Sequence, residues 1–532
     1  MIYINQFFYN VSHQLRKLYL NSNLYNKKIS KINDNDFFYK PSPHLLSSLI
    51  KYQKKKFKIE DFSSTEIWNK DIKQKEFKNL NSFYWFFSLD LKSSKEAVQS
   101  IISSWILLNK KFNYQSWDFD ITAKRIIAWL SCYNITFENA GKEYQKNFNF
   151  MIKKQTNHLV NEINKSKHVE DKLIGCAAVI LVGLCYKIEK NYLLYGLEIL
   201  KKISKFTLDN SGFPKTRNFK QLVFFLKYHI LIREWFKEAQ VNVPEHIEET
   251  IYYLGQSYSF IWQNTYKDLF FNGNTNSNNL EFDSYLKRLG YKFKNESHDF
   301  GGYLILKNKK TCLAMDVGST PNSIYTKDYQ SGALSFEIIR NGKKLICNCG
   351  YYNKSYNKIN KISKSTASQS TLVIDDQSSC KINNLSYIQR GLKILKKDVI
   401  FKKDYWKIKA SHDGYFKKYN LIHEREIEFY PDPMKFLGTD KIIQRKINHN
   451  YKFDIRFHVE PNVKLMKTQD NKTILIELDD EGWKFTCEKF NIDIDYGLYF
   501  GNKNSYTENQ NIFVSGVTNN QVENIKWQIE KI

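Results

Sequence analysis

The chain has 532 residues, 42% of them hydrophobic and 16% aromatic, which is enough for two or more domains with full cores and argues against a disordered protein. The formal net charge of +26 favours a polyanionic partner, which means a nucleic acid, an anionic lipid or an acidic polysaccharide. Because 71 of the 81 basic side chains are Lys and only 10 are Arg, much of this charge also fits a coding bias toward Lys and a solvated surface.

Residues 1–40 are interpreted as an N-terminal extension, and residues 41–285 as a helical domain. Apolar residues recur at helical spacing in SSKEAVQSIISSWILL, ITAKRIIAWLSCY, KLIGCAAVILVGLCY, YLLYGLEILKKI, QLVFFLKYHILIREWF and HIEETIYYLGQSYSFIW. Because no strand pattern interrupts this series, it predicts an all-α bundle or toroid. The longest apolar run, Leu173–Tyr186, has 14 residues, so it is too short for a membrane span and predicts a buried helix.

Residues 286–532 are interpreted as a β-sandwich domain, because the apolar period changes to that of short strands separated by turns. In the clearest strand, residues 453–459, apolar side chains alternate with Asp, Arg and His, which is typical of an antiparallel strand with one buried face. Asn341 and Gly342 join two apolar segments within Tyr329–Gly350 and predict a hairpin. The predicted fold class is therefore α+β, with an N-terminal (α/α) toroid of helices followed by a C-terminal antiparallel β-sandwich.

The eight Cys residues show no paired spacing, so buried free thiols are expected rather than a disulfide framework. The N-terminal stretch MIYINQFFYNVSHQLRKLYL lacks a charged n-region, a continuous apolar h-region and a small-residue cleavage site. No signal peptide is therefore visible, and the sequence by itself indicates a cytoplasmic protein.

Several short motifs follow one another along both predicted domains. In the helical domain they are Trp117, TAKRIIAW (Thr122–Trp129), DNSGFPKTRN (Asp209–Asn218) and LFFNG (Leu269–Gly273). In the sandwich they are GGYLILKNKKTCLAMDVG, GALSFEI, NCG, STASQSTLVID, HERE, GTD, RFHVEP and GWKF. Each motif alone is weak, but their order over most of the chain resembles that of the heparinase II/III family of polysaccharide lyases.

The resemblance implies β-elimination on an acidic, uronate-containing polysaccharide. An Asn or His would neutralise the uronate carboxylate, a Tyr or His would abstract the neighbouring proton, and an acid would protonate the leaving oxygen. The resemblance places the neutralising pair near residues 170–172, which are Glu, Asp and Lys, and a second pair near Gln221 and Leu222. Since an ionised carboxylate cannot neutralise a uronate, the catalytic residues stay unknown. His158 and His168 are alternatives, and a surface position is the simpler interpretation of each.

The resemblance also implies a metal site in the sandwich, with a His, an Asp and a second His as ligands. In this chain the three positions hold Gln330, Asn348 and Gln369. An amide oxygen is a poor substitute for imidazole or carboxylate toward a divalent transition metal, and no His lies between Asp299 and Ser411. We therefore predict no metal and no cofactor, and a neutral hydrogen-bonded network of amides in place of the metal.

Arginine is informative in a chain that otherwise uses Lys, because its planar fork binds carboxylates. Arg125 and Arg217 lie in family motifs, and an internal salt bridge is the alternative role of each. Two further pairs, one in HERE and one in RFHVEP, either contact substrate or pair across the sheet. The candidate substrate-binding residues are Arg125, Arg217, Gln330, Asn348, Gln369, His423, Arg425, Arg456 and His458.

Two functions follow from the sequence. The first is a heparinase II/III-family protein that binds an acidic polysaccharide, with cleavage by β-elimination left open. The alternative is a catalytically inactive glycan-binding or structural protein with a lyase fold, which the loss of three metal ligands favours. A nucleic-acid partner is not expected, because no recognition motif accompanies the Lys excess. The family resemblance implies a periplasmic protein, so the compartment stays open.

Overall fold

The structure, a computed structural model, describes residues 12, 14–32, 37–47, 49, 68, 73–89, 94–186, 190–277, 279–353, 358–383, 387–445, 449–502 and 505–532. The chain divides into two compact units. The first unit comprises Met1–Phe206 and Phe224–Ile251, and the second comprises Thr207–Val223 and Tyr252–Ile532. The predicted domain boundaries at residues 40 and 285 follow the change in secondary structure and stay a prediction.

Helices form the N-terminal part of the chain, and they begin with helical residues 14–21. The further helices are α1 (Asn23–Ile29), α2 (Pro43–Ser47), α3 (Gln74–Ser82), α4 (Lys95–Leu108), α5 (Phe119–Ser131), α6 (Tyr133–Thr136), α7 (Lys142–Glu162), α8 (Val169–Cys185), α9 (Lys190–Thr207), α10 (Phe219–Glu238), α11 (Glu245–Tyr258) and α12 (Asn279–Arg288). Two short helices, α13 (Lys358–Lys364) and α14 (Phe416–Tyr419), lie between strands. Short 3-10 turns span Tyr84–Ser88, Ile163–Lys165, Ser323–Tyr325 and Thr366–Ser368, and a π-helical turn spans Ser259–Gln263.

The core of the first unit explains why two of these helices form where they do. Helix α8 contains the predicted apolar run, and every residue from Leu173 to Cys185 is buried. Helix α5 begins after Asp118, whose carboxylate accepts the Phe119 N–H at 2.9 Å and caps the helix. In the part of the chain that the structure describes, no helix is both long and apolar enough to cross a bilayer.

Strands form the C-terminal part of the chain. They are β1 (Asp299–Phe300), β2 (Tyr303–Lys307), β3 (Thr311–Asp316), β4 (Phe336–Arg340), β5 (Lys343–Ile346), β6 (Leu372–Ile374), β7 (Lys381–Ile382), β8 (Ile388–Arg390), β9 (Ile394–Phe401), β10 (Trp406–His412), β11 (Leu421–Tyr430), β12 (Lys435–Gln444), β13 (Lys452–His458), β14 (Lys464–Lys467), β15 (Thr473–Leu478), β16 (Glu481–Thr486), β17 (Asn491–Tyr499), β18 (Thr507–Val517) and β19 (Val522–Lys531). The sheets have the orders β1-β2-β3-β4-β5, β14-β15-β16-β19-β12-β11-β10-β9, β17-β18-β13-β6 and β7-β8. Their paired strands run antiparallel.

Apolar side chains from the three larger sheets meet in one core, which includes Leu313, Phe336, Ile427 and Phe457. Strand β13 alternates as predicted, with its apolar side chains buried between partly exposed polar ones until the strand ends at a buried His. The predicted hairpin is also confirmed, because β4 and β5 pair across Asn341 and Gly342. Both turn residues have positive φ, 49° and 75°, as a two-residue turn with the twist of a hairpin requires.

The predicted fold class is confirmed, since helices come first and antiparallel sheets packed on a shared core follow. The expectation of buried free thiols is confirmed as well. All eight Cys residues are free and buried in this fold.

Candidate functional site

Gln330 joins three separate segments of the second unit through one side-chain amide. It lies in the loop before β4 and is 1% exposed. Its Oε1 accepts the N–H of Gly273 at 3.0 Å, and its Nε2 donates to the carbonyls of Gly350 at 2.9 Å and Ser363 at 2.6 Å. The amide therefore uses both its acceptor and its two donors on backbone groups.

Ser370 forms hydrogen bonds with four residues, which are Cys347, Asn348, Arg425 and His458. Its backbone N–H donates to Oδ1 of Asn348 at 2.8 Å, and its hydroxyl donates to the carbonyl of Cys347 at 2.6 Å. The same hydroxyl accepts the backbone N–H of His458 at 2.9 Å, and the Ser370 carbonyl accepts Nη1 of Arg425 at 2.8 Å. Sequence analysis did not single out this serine, although it lies within the motif STASQSTLVID.

Gln330, Asn348 and Gln369, at the three positions that the resemblance gives to metal ligands, belong to one connected set of hydrogen bonds. We call this set, together with Ser370, the network of the second unit. Gln330 and Gln369 both donate to the Ser363 carbonyl, and Gln369 precedes Ser370, which donates to Asn348. The amide oxygens of Gln330 and Asn348 already accept backbone N–H groups, so they offer no free set of ligands. The Nδ2 of Asn348 is a buried donor that has no hydrogen-bond partner among the described residues, and a donor there disfavours a cation.

The residues at these positions therefore do not fit a divalent metal. The donor set consists of amides, whereas sites for zinc and similar metals use imidazole, thiolate and carboxylate. Among the described residues, no group of three or more His, Cys, Asp or Glu is arranged to hold a metal ion. The amides form the neutral hydrogen-bonded arrangement that the sequence predicts.

Arg217 extends the network toward the segment that contains Gly273. Its Nη2 donates to Oδ1 of Asp316 at 2.6 Å and to the carbonyl of Gly302 at 2.7 Å. The other oxygen of Asp316 accepts Nδ2 of Asn272 at 3.0 Å. Gly318 makes this packing possible, because a Cβ there would lie 2.0 Å from the guanidinium carbon. The predicted alternative, an internal salt bridge, is the contact that Arg217 makes.

His423 and Arg425 belong to a fully buried chain of hydrogen bonds on β10, β11 and β12. We call it the buried relay, and its members are His412, His423, Arg425 and Asp440. Arg425 donates Nε and Nη2 to the two oxygens of Asp440, at 2.7 and 3.0 Å, and His423 donates Nε2–H to Oδ1 at 2.6 Å. The Nδ1 of His412 accepts the N–H of Gly414, so its Nε2–H donates to Nδ1 of His423 at 3.2 Å. Both imidazoles are therefore neutral.

The pKa values in this relay follow from its burial and its ion pair. Burial lowers the pKa of His412 well below its usual value, and the charge of Arg425 lowers it further. Burial also lowers the pKa of His423, although Asp440 opposes this effect. Burial alone would raise the pKa of Asp440, but Arg425 and His423 together lower it. The geometry supports pairing across the sheet, and contact of His423 and Arg425 with substrate stays a prediction.

Arg456 and His458 are held within the same unit. Nη1 of Arg456 donates to Asp495 at 2.7 Å and to Asn511 at 3.2 Å. Nε2 of His458 donates to the carbonyl of Ala367 at 2.9 Å, and burial lowers the pKa of this His to about 4. The structure thus links eight of the nine candidates, all but Arg125, to buried or partly buried groups of the second unit. Their contact with a polysaccharide stays a prediction.

Arg125 lies in the core of the first unit, on helix α5. Its Nε donates to Oε1 of Gln155 at 2.7 Å, and its Nη1 donates to the carbonyls of Asn81 and Ser116 at 2.9 Å each. The guanidinium carbon lies 4.0 Å from the centroid of the Trp105 ring. These hydrogen-bond partners of Arg125 are neutral. The contacts are therefore not the internal salt bridge that was named as the alternative role. The predicted carboxylate-binding role stays a prediction without support from this geometry.

The start of helix α8 carries acidic residues where the resemblance implies a neutralising pair. Burial raises the pKa of Asp171, and the nearby charge of Asp120 raises it further. Asp120, Lys78, Lys124 and Tyr84 line one cleft of about 430 Å³. Sequence analysis missed these cleft residues, because they belong to three elements and share no motif.

Two tyrosines beside this cleft are poor bases at neutral pH. The hydroxyls of Tyr84 and Tyr228 lie 3.5 Å apart. Burial raises the pKa of Tyr228 to about 12 and that of Tyr84 well above its usual value. A base in this cleft would therefore need its pKa lowered by a bound group.

The two histidine alternatives have opposite surroundings. His158 is buried, with Nδ1 2.8 Å from the hydroxyl of Tyr25 and Nε2 3.1 Å from the carbonyl of Trp117, so both nitrogens are engaged. His168 is exposed and precedes α8, as expected for a surface histidine. At the second pair, Gln221 accepts the hydroxyl of Thr216 at 2.7 Å, and Leu222 is fully buried.

The fold is one in which helices precede antiparallel sheets. Residues 295–528 match the family model described as Heparinase II/III-like, C-terminal. The chain therefore contains a heparinase II/III-like C-terminal domain, which confirms the resemblance for this part of the sequence. No curated protein matches the chain in a sequence comparison.

Solved structures with the same fold cover nearly the whole chain. A heparan sulfate lyase HepC mutant from Pedobacter heparinus has 13% identity and a TM-score of 0.69, covering 96% of this chain and 87% of that one. A heparinase III described as the BT4657 gene product has 13% identity and a TM-score of 0.70, covering 92% and 83%. A further heparinase III has 15% identity and a TM-score of 0.67, covering 90% and 80%. At this level of identity the similarity concerns the fold.

Proposed function

We propose that the protein binds an acidic, uronate-containing polysaccharide. The observation that carries this proposal is the heparinase II/III-like C-terminal domain at residues 295–528. The formal net charge of +26 supports it, because a polyanion gains from such a field when it approaches. The solved structures of similar fold include lyases named for heparan sulfate, which is consistent with a polymer of this class.

A second candidate, glycan binding without turnover, is favoured by the start of helix α8. The neutralising group of a β-elimination must donate a hydrogen bond to a uronate carboxylate or carry positive charge. Asp171 and Asp120 instead bring two carboxylates near each other, as the raised pKa of Asp171 indicates. Each carboxylate would repel a uronate at neutral pH, which opposes cleavage at this position.

The experiment uses the full chain and a panel of uronate polymers that differ in sulfation and linkage. β-Elimination leaves a double bond in the product, so ultraviolet absorbance reports turnover directly. Isothermal titration of the same polymers reports binding, with dextran as an uncharged control and duplex DNA as a control for charge alone. Growing absorbance with one polymer would support the lyase, whereas tight binding without absorbance would support the second candidate. Equal affinity for DNA and for every uronate polymer would contradict both.

A further inference from the structure

A small pocket is formed within the first unit. It is lined by residues from the helical stretch 14–21, from the segment before α5 and from the end of α7, and its volume is about 120 Å³. We call it the Arg16 pocket, and the residues that define it are Arg16, Lys17, Trp117, Glu162 and Lys165.

Cations outnumber acids in the lining of the Arg16 pocket. Arg16 and Lys165 both form ion pairs with Glu162, and the Lys165 nitrogen lies 3.0 Å from the carboxylate. One nearly buried carboxylate therefore faces two cations. Lys17 adds a third positive charge. The other acid in the lining, Asp118, lies 3.1 Å from a lysine outside the pocket. The pocket therefore keeps a positive potential that its own acids do not cancel.

Two donors of this pocket have no acceptor among the described residues. They are Nε of Arg16 and Nε1 of Trp117, and both atoms are buried. A buried donor without a partner costs on the order of a lost hydrogen bond. Both donors belong to residues that line the same cationic pocket, so an acceptor ligand bound there would offset part of this cost.

The histidine in the wall supports the same conclusion. Burial lowers the pKa of His158 to about 3, and the charges of Arg16 and Lys165 are among those that lower it further. Its two nitrogens are engaged by Tyr25 and Trp117, so the imidazole is neutral and adds no charge of its own. The positive potential therefore comes from Arg16, Lys17 and Lys165.

We propose that the Arg16 pocket binds a single oxyanion group, either a sulfate or a carboxylate. Its volume exceeds the space that one water needs but is well below that of pockets for drug-sized molecules, so it suits one group rather than a whole sugar chain. Tyr114 is exposed beside it, with Nζ of Lys17 5.1 Å from the ring centroid, and offers a face for a sugar ring. Resting on the proposed function, the oxyanion belongs to the acidic polysaccharide, and a free ion is the other source.

The test compares two double variants of the full chain that remove the same charge. The pocket variant is Arg16→Gln with Lys165→Gln, and the matched control is Lys142→Gln with Lys146→Gln, two exposed positions on α7. Heparin, a sulfated uronate polymer, is titrated into each at one ionic strength. We expect the pocket variant to lose about tenfold in affinity, because charge-assisted hydrogen bonds are lost, and the control to lose at most about twofold. Equal losses in both variants, or none in the pocket variant, would overturn the proposal.

A second variant keeps the test valid if the double variant folds poorly. Lys17→Gln leaves the pairs of Glu162 in place, so we expect its thermal midpoint to stay unchanged while heparin affinity falls about threefold. Potassium sulfate separates this proposal from the proposed function. If wild type binds no acidic polymer but binds sulfate, and the pocket variant does not, the pocket stands and the polysaccharide proposal fails. Absence of both sulfate and heparin binding in wild type would overturn the pocket.

Discussion

Two sites, one in each unit, satisfy their polar side chains in different ways. In the network of the second unit, the side chains of Gln330, Ser370 and Arg425 direct their donors and acceptors onto backbone groups and onto one buried carboxylate. In the first unit, the Arg16 pocket has two buried donors without acceptors in the part of the chain that the structure describes, and it carries more cations than acids. The difference supports a structural role for the network of the second unit, in which Nδ2 of Asn348 is an exception, and it fits the anion binding proposed for the Arg16 pocket.

The same contrast applies to the lysines. On the outer face of the eight-stranded sheet, Lys407 pairs with Glu426 and Glu428, and Lys409 pairs with Glu424. The opposite charges within these pairs largely cancel, so this face contributes little to the electric field that a polyanion meets. Net charge alone is therefore a poor guide to the binding surface, and the position of clusters in which cations outnumber acids is a better one.

Acid should give the largest effect and should act on both units. Burial lowers the pKa of His158 to about 3 and those of His229 and His458 to about 4, from 6.5. Because the folded pKa is the lower one, the stability is complete above about pH 6.5 and is lost as pH falls toward the folded values. At pH 5 each of these histidines should lower the free energy of unfolding of the protein by about 2 kcal/mol. Denaturant unfolding between pH 7.5 and pH 5 measures the loss.

One variant identifies a group that is responsible. His229→Gln removes a buried neutral imidazole and should reduce the slope of stability against pH by about one proton. A stability that stayed flat from pH 7.5 to pH 5 would contradict the assignment of neutral buried histidines.

Removing the carboxylate of the buried relay should have the next largest effect. Asp440→Ala leaves Arg425 as an uncompensated buried cation and removes the acceptor of His423. We expect the free energy of unfolding to fall by about 3–5 kcal/mol, as for other buried ion pairs that lose one partner. Asp398→Ala, at an exposed position of β9, is the control and should change stability by less than about 0.5 kcal/mol. A loss below about 1 kcal/mol for Asp440→Ala would show that the relay is not needed for stability.

A smaller effect is expected where a neutral amide is removed. Gln330→Ala removes the side-chain partner of the Gly273 N–H and of the Gly350 carbonyl, and it leaves the Ser363 carbonyl with the longer hydrogen bond from Gln369. We expect a loss of about 2–4 kcal/mol, measured by the same denaturant unfolding. Gln377→Ala, in an exposed turn, provides the control. If Gln330→Ala were as stable as this control, the amide would not hold the three segments together.

Periodicity in the sequence was sufficient to predict most of the fold. The apolar run of α8 and the alternation of β13 reflect burial on a 3.6-residue and a two-residue period, and both elements form where they were expected. Asn341 and Gly342 predicted the hairpin because few other residues adopt two successive positive φ angles. The burial of His423 and Arg425 could also be predicted from their position among apolar residues on one strand face.

The connections of the site were not predictable from spacing. Asp440 lies opposite Arg425 in the pairing of β11 with β12, and that register depends on a turn and on tertiary packing. Ser370 contacts three segments through a backbone N–H, a hydroxyl and a carbonyl, and no sequence pattern marks such a role. The Arg16 pocket combines residues 16, 117 and 165, which are close only after the helices pack.

The smallest effect is expected from removing metal. Because the amide oxygens of Gln330 and Asn348 already accept backbone N–H groups, a chelator should leave the thermal midpoint and polymer binding of wild type unchanged. The positive control is the triple variant Gln330→His, Asn348→Asp and Gln369→His, which restores the ligand types that the resemblance implies. It loses the amide hydrogen bonds, so it should be less stable than wild type until zinc is added. Zinc at about 100 times its Kd should then return about 2.7 kcal/mol, because metal binds only the folded form. Stoichiometric zinc in purified wild type would show instead that the amides coordinate metal, and the contrast between a closed network in the second unit and an open pocket in the first would no longer hold.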